Sequence, residues 1–127
     1  MGAQNATAIC LLDDQPSILK GLVRLLASAD LRAEPFSDPN EFLSYTGIHR
    51  SPLAVIDVWM PIMNGLEVQS RLREISPSTQ VIILTAHDDP RMRSTALHAG
   101  ATAFLTKPFN SDEFLAAVRV ALVANLA

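Results

Sequence analysis

Five polar side chains in this sequence could together carry out phosphoryl transfer: Asp13, Asp14, Asp57, Thr85 and Lys107. Clustered carboxylates repel one another unless some of them are protonated or a cation lies between them. Mg²⁺ commonly binds one or two carboxylates together with waters and phosphate oxygens. A lysine would add a fixed positive charge, and a threonine hydroxyl can donate to a phosphate oxygen. One of the aspartates could then act as a nucleophile and become an aspartyl phosphate.

The positions of these residues follow from the strands that precede them. Five short apolar runs predict strands, and four of the runs end at, or directly before, one of the candidate residues. Continuous apolar runs are typical of strands that are covered on both faces, as in a parallel sheet. The predicted strands are Thr7–Leu12, Leu31–Phe36, Leu53–Asp57, Gln80–Thr85 and Ala101–Thr106.

Amphipathic segments between the runs predict five helices. The first begins near Pro16, with Asp14 as a candidate N-cap, and capping is the alternative to a functional role for Asp14. The second begins near Asp38 and ends before Gly47. The remaining signals are Val68, Leu72 and Ile75 for the third helix, Asp89-Pro90 and Gly100 for the ends of the fourth, and Asn110, Phe114, Leu115, Val118 and Leu122 for the fifth.

Strands that alternate with helices predict an α/β fold. We expect a doubly wound five-stranded parallel sheet of order 2-1-3-4-5, with five helices in layers on its two faces. Ligands in such sheets bind beyond the carboxyl ends of the strands, near the point where the strand order reverses. Taken alone, Asp57 could begin a loop, Thr85 could end a strand and Lys107 could lie on the surface. Because polar residues stand at the ends of four predicted strands, the combination indicates a functional site.

The composition describes a single domain. The chain has 127 residues, of which 49% are hydrophobic and 18% charged, and we expect a core over about residues 7–124. A net charge of −3 gives no basic surface for nucleic acid. No apolar run is long enough to cross a membrane and no signal-peptide pattern is present, so we expect a cytoplasmic location. Cys10 is the only cysteine, which excludes an internal disulfide, and its apolar surroundings predict burial.

Several motifs resemble the receiver domains of two-component response regulators, from about Ala8 to Val123. The matching motifs are Asp13-Asp14, Asp57-Val58-Trp59-Met60-Pro61 with Gly65, Leu84-Thr85-Ala86 and Lys107-Pro108-Phe109. The resemblance implies the flavodoxin-like, CheY-like three-layer sandwich of that family. The stretch from Phe104 to Leu122 is similar to the FixJ and NarL-type branch, whose receivers often precede a helix-turn-helix output domain.

The resemblance also implies the roles of single residues. Asp57 is the expected phosphoacceptor, which receives phosphate from a sensor histidine kinase. The expected Mg²⁺ ligands are Asp13, Asp14, Asp57 and the backbone carbonyl of Trp59. Trp59 itself departs from the family pattern, because a smaller or polar residue is usual there. We hypothesise that its bulk, together with His87, shields the aspartyl phosphate from water; the alternative is a loop tryptophan that partly covers apolar surface.

Thr85 and Lys107 are expected to contact the phosphoryl oxygens, and the Lys107-Pro108 bond is similar to one that is often cis in the family. After phosphorylation, Thr85 would move toward the phosphate and the aromatic ring of Phe104 would turn inward. That change would reshape the surface of the fourth helix, fifth strand and fifth helix. Tyrosine is frequent at the Phe104 position, and phenylalanine has no hydroxyl to bond, so ring position alone would carry the signal. The alternative is a core aromatic with no part in switching.

We therefore expect a phosphoacceptor switch rather than an independent enzyme. Phosphatases that form an aspartyl phosphate usually have a second aspartate two residues after the nucleophile, where this chain has Trp59. The competing hypothesis is a pseudo-receiver that binds proteins without phosphorylation. Expected partners are the kinase and an output domain or downstream protein, with a phosphorylation-dependent homodimer as a further hypothesis. We expect no membrane contact and no direct nucleic-acid binding, and it stays open whether the domain stands alone.

Overall fold

The computed structural model describes residues 8–126, in which five strands alternate with five helices. The strands are β1 (Ile9–Leu12), β2 (Ala33–Phe36), β3 (Leu53–Asp57), β4 (Gln80–Thr85) and β5 (Ala103–Thr106). The helices are α1 (Pro16–Ser28), α2 (Pro39–His49), α3 (Gly65–Ile75), α4 (Pro90–His98) and α5 (Ser111–Leu126). Among these residues, no helix is both long and apolar enough to span a membrane.

The strands form one parallel sheet in the order β2-β1-β3-β4-β5, which confirms the predicted doubly wound topology. The strand order reverses between β1 and β3, where Leu12 pairs with Ile56. Every residue of β1 and β3 is buried, because helices cover the sheet on both faces. The carboxyl ends of these two strands therefore lie side by side at one edge of the sheet.

Alternate strand residues contribute to two separate core clusters on opposite faces of the sheet. The α2–α4 face holds Leu12, Ile56, Ile83 and Phe104 of the sheet against Phe42, Val68, Leu72 and Ala96 of α2, α3 and α4. The α1–α5 face holds Leu11, Val55 and Leu84 of the sheet against Leu19, Leu22, Leu26, Phe114 and Val118 of α1 and α5. Each helix thus contributes an apolar stripe to one face only.

Two predicted features of the helices were wrong. The second helix continues through Gly47 to His49, because the residue that adopts the left-handed conformation and caps the helix is Arg50, with φ of 50°. Asp14 does not cap the first helix; Gln15 occupies the N-cap position and makes no side-chain capping bond. The third helix contains Val68, Leu72 and Ile75, as predicted, and Ile75 at its last position is 42% exposed.

The other boundaries agree with those predicted from the sequence or differ from them by two residues. Strands β2 and β5 each begin two residues later than predicted, and Thr7 lies outside the described residues. The fourth helix ends before Gly100, which has φ of 100°, and Asn110 accepts a hydrogen bond from the Glu113 amide at the start of α5. Cys10 is fully buried, as predicted, and burial raises the pKa of its thiol to about 11.

Candidate functional site

Three carboxylates meet where the sheet reverses its strand order. Asp13 directly follows β1, and Asp57 is the last residue of the neighbouring strand β3. One oxygen from each of Asp13, Asp14 and Asp57 lies within 4.8 Å of the others. Asp13 is 1% exposed and Asp57 4% exposed, whereas Asp14 is open to solvent. The predicted meeting of the three aspartates is therefore present in the structure.

Lys107 brings a positive charge to the two buried carboxylates. Its Nζ donates hydrogen bonds of 3.0 Å to Asp13 Oδ2 and 3.0 Å to Asp57 Oδ1. The residue follows β5 at the start of the loop to α5, and its backbone amide is anchored to the carbonyl oxygen of Thr85 at 2.7 Å. The Lys107-Pro108 bond is cis. The lysine side chain thus reaches across the end of β4 to the site.

The charges of the site do not balance, since three carboxylates face one ammonium group. Burial raises the pKa of the Asp57 carboxyl, and the negative charges of Asp13 and Asp14 act in the same direction, so the bonds from Lys107 only partly offset them. Burial lowers the pKa of Lys107, but its hydrogen bonds to Asp13 and Asp57 outweigh that effect and leave the pKa raised. The cluster keeps an excess of negative charge that a cation would relieve.

Thr85 lies at the same edge, but its hydroxyl is bound elsewhere. The side chain is fully buried at the end of β4, and its Oγ1 donates to the carbonyl oxygen of His87 at 3.0 Å and accepts from the amide of His87 at 3.1 Å. The hydroxyl is therefore held by the loop that leads into α4. The structure brings the three aspartates and Lys107 together, and it leaves the Thr85 hydroxyl on its own loop.

Phe104 and Trp59 occupy different environments. The Phe104 ring is buried on the α2–α4 face, with 6% exposure, and the guanidinium carbon of Arg93 lies 4.8 Å from its centroid. Trp59 is 48% exposed, and its ring meets that of His87 edge to face, with centroids 6.2 Å apart. The rings of Trp59 and His87 thus link the loop after β3 to the loop after β4. The predicted roles of these side chains, and that of the Trp59 carbonyl, stay predictions.

Two residues near the site have structural roles that the sequence patterns did not indicate. Gly65 begins α3 and donates its amide to the Val58 carbonyl at 2.8 Å, and a Cβ there would collide with the backbone of Asp57. The motif spacing singled out this glycine without giving that reason. Arg93 lies in the polar helix α4, where nothing in the pattern distinguishes it from the neighbouring Arg91.

The doubly wound parallel sheet places this molecule in the class of flavodoxin-like α/β proteins, and the acidic cluster and the lysine lie at the carboxyl edge of that sheet. Within that class, the chain belongs to the response regulator receiver domain family, whose sequence profile matches residues 9–119. It is the kind of domain that two-component systems use for signal reception.

Named relatives agree with this assignment. The response regulator protein TodT of Pseudomonas putida is 38% identical over 120 residues, which cover 94% of this chain and 53% of TodT. The transcriptional regulatory protein TdiR of Thauera aromatica is 33% identical over 95% of this chain and 53% of its own length. The beryllofluoride-activated NtrC4 receiver domain dimer has a TM-score of 0.89 at 28% identity and covers 93% of this chain and 98% of that one. The chain spans about half the length of these two curated relatives.

Proposed function

We propose that this receiver domain is a phosphorylation-controlled signalling switch that accepts a phosphoryl group from a sensor histidine kinase onto Asp57. The observation that carries the proposal is the environment of the Asp57 carboxylate. It is buried at the strand-order reversal, its pKa is raised by burial, and it lies between a partner lysine and further carboxylates. A carboxylate kept as a nucleophile beside cationic groups fits phosphoryl transfer.

The donor set at this edge fits Mg²⁺. The ligands would be carboxylate oxygens of Asp13, Asp14 and Asp57, with the backbone carbonyl of Trp59, and hard oxygen donors of this kind suit a small divalent cation. When bound, the ion would neutralise charge on the phosphoryl oxygens. Burial raises the pKa of Asp57 and the negative charges of Asp13 and Asp14 act in the same direction, and this excess of negative charge supports the assignment independently of the motif.

The protein's own residues account for the rest of the transfer. The Asp57 carboxylate bonds to phosphorus as the P–N bond of the donor phosphohistidine breaks, and the imidazole nitrogen leaves with the electron pair of that bond. Lys107 then exchanges its hydrogen bond to Asp57 for one to a phosphoryl oxygen, while its bond to Asp13 keeps it in place. Thr85 leaves the backbone of His87 and donates its hydroxyl to another phosphoryl oxygen.

We assign the relay to the surface made by α4, β5 and α5, because Phe104 of β5 packs in one core cluster with Ala96 of α4 and Thr85 ends the strand beside β5. We assign the output to a further domain or partner protein, since this domain covers only about half of TodT and TdiR. TdiR is a transcriptional regulatory protein by name, which supports a transcriptional output through a partner. A receiver dimer is known for NtrC4, and we extend phosphorylation-dependent dimerisation to this chain. A cytoplasmic location completes the proposal.

Two other hypotheses compete with this one. A pseudo-receiver would bind partners without phosphorylation, but the complete set of three carboxylates, threonine and lysine favours a phosphorylated protein. An independent phosphatase would need an acid–base group near the phosphorylated carboxylate. Trp59 stands at the position two residues after Asp57, and an indole can donate a hydrogen bond but cannot act as a general base.

Intact mass measured after incubation with a small-molecule phosphodonor tests the proposal. We expect one phosphate adduct in the presence of Mg²⁺ and none after chelation or in an Asp57→Asn variant. A folded protein that takes up no phosphate under these conditions would favour the pseudo-receiver. An adduct that persists in the Asp57→Asn variant would place the acceptor elsewhere.

A further inference from the structure

Arg93 contacts the aromatic part of the expected switch directly and is connected to the hydroxyl part through the loop that contains Asp88. From α4 its guanidinium carbon lies 4.8 Å from the centroid of the Phe104 ring, and its Nη2 lies 3.2 Å from Oδ1 of Asp88. Asp88 directly follows His87, whose backbone makes both hydrogen bonds with the Thr85 hydroxyl. A continuous set of contacts therefore runs from the switch hydroxyl through the loop to the switch aromatic.

The contact with Phe104 gives this ring a polar partner that it otherwise lacks. A phenylalanine has no hydroxyl, but the face of its ring carries negative charge density that attracts a cation. The guanidinium group is planar and always charged, so it can cover the ring face and pair with a carboxylate at the same time. The sequence alone suggested that ring position was the only signal available to Phe104, and the cation–π contact adds a second one.

The ion pair with Asp88 orients the guanidinium group more than it stabilises the protein. The side chains of Arg93 and Asp88 are 42% and 56% exposed, and ion pairs at such positions contribute little because water screens them. Its consequence is geometric. The pair fixes the arginine to the loop of residues 87–89, which also holds the Thr85 hydroxyl, so a movement of that loop changes the position of the cation over the ring.

The two halves of the switch are in different arrangements in this structure. The Phe104 ring is already buried, with 6% exposure, whereas the Thr85 hydroxyl is still bound to the His87 backbone rather than directed to Asp57. A sequence of events in which the ring turns inward only after the threonine has moved does not account for this combination. Arg93, lying over the ring, provides a reason for the buried position.

We propose that Arg93 is a positioning residue of the switch, which holds the Phe104 ring inward and ties it to the loop of residues 87–89. This inference rests on the proposed function. With the ring already placed, the phosphoryl group has only Thr85 and its loop to rearrange, so the active arrangement forms at a lower occupancy of the acceptor site. Loss of the guanidinium group would return the ring to a mixture of positions and weaken binding of a phosphoryl mimic.

Titration with beryllofluoride and Mg²⁺, followed by fluorescence of the single tryptophan Trp59, tests this inference. We expect Arg93→Ala to raise the beryllofluoride concentration at half-response by about two- to fivefold, the ratio that an exposed cation–π contact corresponds to. Arg93→Lys keeps a cation without the planar group and should recover part of the loss. Arg91→Ala is the matched control, because Arg91 is an exposed arginine of the same helix with the same charge.

The outcomes separate the inference from the proposed function. An unmodified protein that neither responds to beryllofluoride nor takes up phosphate would overturn the proposed function and this inference with it. An unmodified protein that responds, with Arg93→Ala indistinguishable from Arg91→Ala, would overturn the inference alone. In an Arg93→Ala, Phe104→Leu double variant, the two changes should not add, because each removes the same contact. Full additivity would also count against the inference.

Discussion

Lys107 Nζ and Asp57 Oδ1 lie 3.0 Å apart, although the two residues are separated by 50 positions in the chain. The lysine therefore satisfies the acceptor carboxylate before any phosphate arrives, and it shares its ammonium group equally with Asp13 at 3.0 Å. Under the proposed function, we expect phosphorylation to replace the bond to Asp57 and to leave the bond to Asp13, which would hold the lysine in position while its partner changes.

Removal of the lysine charge should strengthen cation binding at the acidic cluster. In Lys107→Met the carboxylates of Asp13 and Asp57 lose their ammonium partner, so a bound Mg²⁺ no longer competes with a fixed positive charge. We expect the Kd for Mg²⁺, measured by titration of Trp59 fluorescence, to fall by about tenfold, which needs only about 1.4 kcal/mol of relieved repulsion. Lys20→Met, at an exposed position of α1, is the control and should leave the Kd unchanged. Weaker Mg²⁺ binding in Lys107→Met would contradict the assignment of the metal site.

The acceptor carboxylate should lower the stability of the protein at neutral pH in the absence of Mg²⁺. Burial raises the pKa of Asp57 in the folded state above its ordinary value of 3.8, which we take for the unfolded state. In the pH window between the unfolded-state pKa and the raised folded-state pKa, the folded state binds more protons than the unfolded state. The free energy of unfolding therefore falls as the pH rises through this window, and it stays lower above the window. Asp57→Asn removes the ionisation and should unfold at higher urea concentration than the unmodified protein near neutral pH.

The same comparison at lower pH supplies the control. As the pH falls below 3.8, the Asp57 carboxyl becomes protonated in both states, and the advantage of Asp57→Asn should disappear. If the Asp57→Asn variant is instead less stable than the unmodified protein at neutral pH, the prediction is wrong. The hydrogen bond from Lys107 would then stabilise the charged carboxylate by more than burial destabilises it.

Trp59 should lengthen the lifetime of the aspartyl phosphate. Its ring stands edge to face with that of His87, and we expect the two rings together to restrict the approach of water to Asp57 from between their loops. We expect the phosphorylated Trp59→Asn variant to lose phosphate several-fold faster than the unmodified protein, measured by intact mass over time after removal of the donor. Ile62→Ala, which changes another exposed apolar residue of the loop after β3, is the control. An unchanged half-life in Trp59→Asn would contradict the shielding role.

Gly65 should tolerate no side chain, because a Cβ at this position would meet the backbone of Asp57 and Val58. We expect Gly65→Ala to lower the free energy of unfolding by about 1–3 kcal/mol, as overpacking does, and to slow phosphorylation because the acceptor is displaced. Gly21→Ala is a matched control, since a Cβ there has no atom within 4 Å. In the interior of α1 that change should raise stability by about 0.5–1 kcal/mol. Equal effects of the two substitutions would contradict the close approach.

Much of the fold was predictable because strand burial and helix amphipathicity leave strong periodic signals. The continuous apolar runs that became β3 and β4 are typical of strands covered on both faces, and the structure confirms them as such. Helix ends were less predictable because several residues can terminate a helix. Glycine is the preferred residue type for the left-handed conformation that ends a helix, yet α2 continues past Gly47 to His49 and the left-handed residue is Arg50. At Gly47 the helix still packs against α3, because a Cβ there would lie 3.7 Å from the side chain of Ile75.

The acidic cluster was predictable because parallel strands bring their carboxyl ends to one edge of the sheet. The hydrogen bonds of Thr85 with His87 and the position of Arg93 over Phe104 were not. Helix α4 has few apolar residues, and Ala96 is its only buried residue, so the sequence does not show which arginine faces the sheet. Contacts that depend on how such a helix is rotated require coordinates.

The sheet divides the interior into two compartments, and the switch belongs to one of them. Phe104 packs in the cluster of the α2–α4 face, and Thr85 points to the same side because it alternates with Leu84 of the opposite cluster. Under the proposed function, a movement of Thr85 and its loop would reach α4, which is tied to that loop through Arg93, and would leave the packing of α1 and α5 unchanged. A partner that contacts both α4 and α5 would therefore detect a displacement of α4 relative to α5. The signal would be the relative position of the two helices and not the position of either helix alone.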